Sequence, residues 1–274
     1  VFAAMWISPM VSEAFNNSVS APVAFGTVLL MIGLIFYFVF VLMDRKFDAQ
    51  LEAMGELKEE ASGEEFKFSD LGMIFTSKMF WLVALLCVLY YSAIFPFQRY
   101  APDFLDKTLD ITNGSQLFSC FPILAMFLTP VLGAFIDRKG KAASMLMVGS
   151  LIMIACHLSF AFLLPMFPSK VFAVAIIAIL GVSFSLVPAA LWPSVPKIID
   201  ERILGSAYCV IFWIQNWGLL LVPVIIGKVL DVTGGYTMPM VIFSSFGVVA
   251  LFMGMLLKVE DKKKGYGLEE PNIK

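Results

Sequence analysis

The stretch Gly133-Ala-Phe-Ile-Asp137-Arg138-Lys139-Gly140-Lys141 decides the fold. It is a short charged hairpin between two long apolar runs, residues 117–136 and 142–166. Two membrane-spanning helices joined by so tight a basic turn leave little freedom of topology. Loops rich in Lys and Arg stay on the cytoplasmic side. The hairpin therefore marks one face of a membrane, and the remaining spans are counted outward from it.

Composition agrees with that start. Hydrophobic residues make up 60% of the 274 and charged residues 15%, with a mean hydropathy of +0.89. A soluble chain is about 45–50% apolar and about 25% charged, so the surplus has to face lipid. A net charge of −2 carries no signature of nucleic-acid binding. Cys87, Cys120, Cys156 and Cys209 lie within apolar runs at no metal-ligand spacing, and they read as packing residues. The chain shows no nucleophile motif and no His/Asp/Glu cluster. No enzyme activity, catalytic residue, metal or cofactor is expected.

Seven apolar spans are expected: 23–43, 79–97, 117–136, 142–166, 171–195, 204–227 and 238–257. Each approaches the roughly 20 residues that cross a hydrocarbon core of about 30 Å. Basic residues test the arrangement. Arg45, Lys46, Lys58, Lys67, Lys78, Arg138, Lys139, Lys141, Lys197 and Arg202 fall in connections on the hairpin's side, with Lys258, Lys262, Lys263, Lys264 and Lys274 near or in the tail. The opposite connections carry only Arg99, Lys107, Lys170 and Lys228. Connections 44–78, 137–141 and 196–203 and the C-terminus are thus expected in the cytoplasm.

Four regions follow. Residues 1–43 read as the end of one bundle, a cut helix and one full span, which makes the chain a piece of a longer protein. Residues 44–78 read as a cytoplasmic linker, either a surface helix or a solvated strand of chain, rich in Glu52, Glu56, Glu59, Glu60, Glu64 and Glu65. Residues 79–258 form a six-helix bundle and 259–274 a cytoplasmic tail. The six divide into two triplets of opposite direction, each opening with a helix that carries an aromatic–proline step, Phe95-Pro96-Phe97 and Trp192-Pro193. Inverted three-helix repeats are a transporter pattern, although proline near a helix end also has plain steric causes.

Gly133-x-x-x-Asp137-Arg138-x-Gly140-Lys141 resembles the loop motif of the major facilitator superfamily. Phe95-Pro96-Phe97, Leu191-Trp192-Pro193, Leu204-Gly205-Ser206-Ala207-Tyr208 and Gln215-Asn216 are similar to one branch of it, the domain-containing protein 1 branch of lysosomal dipeptide uniporters and their bacterial relatives. Cys209 departs from that pattern, which has a glycine after the tyrosine. The resemblance implies an all-α polytopic bundle, the C-terminal half of the major facilitator fold with inverted 3+3 repeats. It implies facilitated diffusion of dipeptides by alternating access. Its implied partners are a dipeptide or other small solute, the bilayer, a preceding N-terminal bundle and, in a eukaryote, a glycosylated accessory subunit. The implied location is the lysosomal membrane, or the inner membrane of a prokaryote. Two other readings stand beside it: a proton-coupled carrier of a sugar or carboxylate, and a membrane protein that binds partners without transporting.

The interiors of the last six spans hold no charged residue, so recognition falls to neutral groups. Tyr90, Tyr91, Gln215 and Asn216 are the candidate cavity residues. Phenols and amides both donate and accept hydrogen bonds, as peptide groups require. The alternative is that the amides bond helix to helix and that one tyrosine packs. Phe95, Pro96, Phe97, Trp192 and Pro193 are candidate gates, with interfacial anchoring as the alternative. Gly133, Asp137, Arg138, Gly140 and Lys141 are expected to latch the inner helix ends, with Lys197, Asp200, Glu201 and Arg202 as candidate partners or a solvated loop. His157, the sole histidine, reads as neutral and hydrogen-bonded.

Overall fold

The computed structural model describes residues 2–54 and 68–273. Among them seven helical segments are long and apolar enough to cross a membrane. The chain divides into two compact units, one ending before residue 67 and one beginning there.

The first unit holds α1 (Phe2–Ala14) and α2 (Ser20–Met54). The apolar run of α2 passes without a break into Asp44, Arg45, Lys46 and Asp48, so the helix continues well beyond residue 43. No proline or glycine interrupts residues 44–54, and its charged side chains suit a solvated helix. The rest of the expected linker divides in two. Residues 55–67, with Lys58, Lys67 and most of the glutamates, lie outside the described residues, and α3 (Phe68–Thr76) follows.

The second unit is built on α4 (Lys78–Leu109), a helix capped by the Ser77 hydroxyl, which accepts from the Phe80 amide. Then come α5 (Gly114–Phe118) and α6 (Cys120–Lys139). Next, α7 (Ala142–Leu158) passes through a π-turn at Ser159–Leu163 into α8 (Leu164–Met166). Beyond it, α9 (Lys170–Leu186) passes through a second π-turn at Val187–Leu191 into α10 (Trp192–Ile198). The bundle closes with α11 (Leu204–Thr233) and α12 (Thr237–Lys264). Successive long segments run antiparallel. Lys78, Lys139–Ala142, Lys197 and Lys264 therefore share one end, and Leu109, Lys170 and Thr233 the other.

In this unit α4 is the most enclosed long helix. Leu86, Tyr90, Ile94, Phe97 and Phe104 are fully buried where it packs on α11 and α12 and where Tyr90 reaches α7. Outward-facing Leu151, Phe162, Ile179, Leu220, Leu221 and Phe252 are exposed, an apolar mantle that only lipid or another apolar surface can cover. Glycines set the closest seams. A Cβ at Gly247 would lie 2.7 Å from Ile154 Cγ1, and one at Gly254 2.9 Å from Met147 Cγ, which brings α12 against α7. A Cβ at Gly218 would lie 2.3 Å from Ser92 Oγ, which brings α11 against α4.

The two triplets differ at their prolines. Pro96 sits buried in an uninterrupted α-helix. Pro188 lies in the π-turn after α9. Proline removes one backbone donor and clashes with the carbonyl four residues back. A π-turn accommodates both by adding a residue to the turn, and it sets the direction of Trp192 just beyond it.

Candidate functional site: an aromatic wall and a basic hairpin

The residues expected to recognise solute do not share one surface. Tyr90 is fully buried. Its hydroxyl donates to the Leu146 carbonyl and lies 2.9 Å from Ser150 Oγ, so it bonds α4 to α7. Gln215 is also buried, and its Oε1 accepts from Cys87 Sγ at 3.6 Å between α11 and α4. Asn216 is exposed, with Nδ2 donating to the Phe212 carbonyl at 2.7 Å.

Tyr91 belongs to a different group. It is half-buried and stacks on Phe95 with ring centres 5.2 Å apart and planes at 9°. Trp192 meets Tyr91 edge-on, and its Nε1 donates to the Tyr91 hydroxyl at 3.2 Å. The other side of the indole stacks on Phe212 at 4.8 Å, and Tyr208 donates to the Trp192 carbonyl at 3.2 Å. Phe184 closes the group against both Tyr91 and Phe95. The result is one partly exposed aromatic wall carried by α4, α9, α10 and α11. Rings at such spacing pack edge-to-face and in offset stacks, and the wall offers phenol groups and π-faces without a formal charge, its indole N–H being spent on Tyr91.

The candidate gates divide in the same way. Phe95 and Trp192 belong to the wall, and Pro193 is exposed beside them. Pro96 and Phe97 are buried, Phe97 among Phe118, Phe160, Phe243 and His157. His157 Nδ1 lies 2.9 Å from the Met153 carbonyl, and its ring packs on Phe97 and Phe243. Sequence reasoning missed Phe184 and Phe212 as members of the wall. A signal was available: Tyr208 and Phe212 stand four apart on α11, on one helical face.

The basic hairpin is tied to the tail. α12 runs on to Lys264, and residues 265–273 fold back across the hairpin. The Asp137 carbonyl accepts from the Asn272 and Ile273 amides at 2.8 and 3.0 Å, and Asp137 Oδ1 accepts from Asn272 Nδ2 at 2.7 Å. Gly140 has φ +72°, and a Cβ there would lie 2.4 Å from the Glu269 carbonyl. Only glycine combines that backbone with so near a neighbour. Lys141 also lies in the left-handed region, at φ 67°. A side chain at Gly133 would meet nothing within 4 Å, and Arg138 is exposed. Lys197 Nζ donates to the Gly267 and Glu270 carbonyls at 2.8 and 3.4 Å. Asp200 accepts from the Arg202 amide within its own turn.

The family profile described as Major Facilitator Superfamily matches residues 1–223. The chain belongs to the major facilitator superfamily. It is an integral, multi-pass member, with seven apolar helical segments long enough to cross a membrane among its described residues. It is similar to the lysosomal dipeptide transporter MFSD1 of Gallus gallus, at 29% identity over 253 residues, covering 90% of this chain and 55% of that protein. For MFSD1 of Danio rerio the identity is 31% over 223 residues, covering 81% and 46%. For MFSD1 of Homo sapiens it is 26% over 267 residues, covering 96% and 54%. The chain spans about half the length of the curated relatives it matches.

Proposed function

We propose that this chain forms one six-helix half, with part of the other, of an alternating-access carrier that passes dipeptides by facilitated diffusion. The aromatic wall carries the reading. A dipeptide presents N–H and C=O groups along its length and side chains of varied size. Phenols and ring faces suit both features, and they accept many side chains because a π-face makes no sequence-specific demand. Tyr91 and Asn216 are the proposed solute contacts, with Tyr90 and Gln215 holding helices behind them. Phe95, Trp192 and Pro193 are the proposed gates, backed by Pro96 and Phe97 in the bundle interior.

The dipeptide's terminal charges need counter-charges, and those are assigned to a second bundle supplied by sequence that the relatives possess and this chain lacks. The proposed orientation puts 44–78, the 137–141 hairpin, 196–203 and the tail in the cytoplasm. The basic residues gathered at that end support it. Lysosomal residence is carried over from the relatives' printed names, and an accessory subunit from the branch resemblance alone.

Uptake of labelled dipeptides into liposomes holding the full-length protein tests the proposal. Equilibrating uptake, unaltered by a pH gradient and slowed by Tyr91→Ala, is expected. Accumulation driven by the gradient would favour a proton-coupled carrier. Partner capture without any uptake would favour an interaction protein.

A further inference from the structure

The start of α7 has no cap of its own. The preceding residue, Lys141, makes no side-chain capping bond, and the first turn of any helix leaves amides in need of acceptors. The tail supplies them. The Lys141 amide donates to the Glu269 carbonyl at 3.1 Å and the Ala142 amide to the Leu268 carbonyl at 3.0 Å. The Glu269 carboxylate accepts from the Ser144 amide at 2.8 Å and from the Ser144 hydroxyl at 2.7 Å. A carboxylate at a helix N-terminus also meets the positive end of the helix dipole. Lys258 Nζ stands 3.3 Å from the same carboxylate and 2.6 Å from Ser144 Oγ. Leu268 is wholly buried, and its amide donates to Asp261 Oδ1 at 3.1 Å. Nine residues without regular structure thus engage α6 through Asp137, α7 through Ser144, α10 through Lys197 and α12 through Asp261.

We propose that residues 265–273 are a releasable strap that sets the inner-gate equilibrium of the carrier, by capping α7 and by occupying Asp137 and Lys197. The proposal rests on the alternating-access reading above. With the strap docked, Asp137 and Lys197 are spent within this half and the inner face stays open. When it is released, α7 loses its borrowed cap, and both charged groups become free to pair across to the opposite half and close that face. Lys197 is carried by the same short helix as Trp192, so release also loosens the wall at its inner end.

The test uses the full-length protein in liposomes. Glu269→Gln combined with Asn272→Ala attacks the strap from the tail, and Ser144→Ala attacks it from the helix. Hydrogen exchange at the Leu268, Asn272 and Ile273 amides reports docking directly. A thiol introduced by Phe212→Cys, in a Cys209→Ser background, reports whether the wall is reachable by an impermeant reagent from the inner side. Faster exchange at the tail amides should accompany labelling slowed by about fivefold, the size of shift that freeing one partly exposed ion pair supports. Faster tail exchange with unchanged labelling in both variants would overturn the strap, and so would unchanged tail exchange in both. A labelling response without dipeptide uptake would leave the strap standing and remove only the substrate assignment.

Discussion

Tyr90 and Tyr91 are neighbours on α4, yet one bonds helix to helix and the other lines the wall. Adjacent positions diverge by about 100° on a helix, so a step of one residue separates the helix-to-helix bond from the wall. Tyr90→Phe removes the bonds to Leu146 and Ser150. It should cost about 1 kcal/mol, seen as a lower unfolding midpoint in detergent with transport kinetics unchanged. Tyr91→Phe should leave the midpoint in place and raise the KM for dipeptide, because the hydroxyl that Trp192 orients is lost. Gly218→Ala would press a methyl group onto Ser92 Oγ and Val88. Overpacking of that kind costs about 1–3 kcal/mol, read in the same unfolding assay. The sequence made both tyrosines and both amides legible as polar groups in apolar spans, but not their directions. A soluble helix shows its buried face by polarity on the other side. Here lipid replaces water, both faces are apolar, and the usual contrast vanishes.

At the scale of elements, the spans were readable because length and hydropathy alone specify a crossing helix. The helix extensions were less so, since α2 and α12 pass from apolar to charged residues with no breaker at the change, and α12 stops only at Gly265, at φ +73°. Of the two π-turns, the one at Val187–Leu191 holds Pro188, a residue that disturbs a helix, while its form depends on neighbours. The docked tail was hidden. Gly265-Tyr-Gly-Leu-Glu-Glu-Pro-Asn-Ile273 has no periodicity, and Leu268 is its main apolar anchor. The available hint was the missing capping residue ahead of α7. Glu269 gives this element a pH signature. Burial pushes its carboxyl up, but the Ser144 bonds and the Lys258 ammonium together hold it below the usual value of 4.5. Lys258, Asp261, Lys262 and Glu270 are the charged groups lining the cavity around it. A group lowered in the docked state contributes stability that is full above its free pKa and lost as pH falls through the docked one. Proteolysis of the tail should therefore be slow and flat from pH 7 to about 5, then rise below the ordinary carboxylate range of about 4. Glu269→Gln should abolish the rise.

At the scale of the molecule, the proposed function makes the wall one side of a path. α4, α9, α10 and α11 present it, while α7 and α12 stand behind α4, locked by the Gly247 and Gly254 seam. If the proposed division between two halves holds, this chain reconstituted alone inserts as a bundle and yields no dipeptide flux. Co-reconstitution with the relatives' complementary half is expected to restore flux above empty liposomes, measured as saturable exchange of labelled dipeptide.

The fold-back of residues 265–273 has a practical corollary for anyone handling the protein. A fluorescent reporter or affinity tag fused directly behind Ile273 would pull on the Asn272 and Ile273 amides that grip Asp137. By the strap proposal, it would bias the very motion such a reporter is meant to observe. Spacer length at that junction is thus an experimental variable, to be titrated before any rate from a tagged preparation is compared with another.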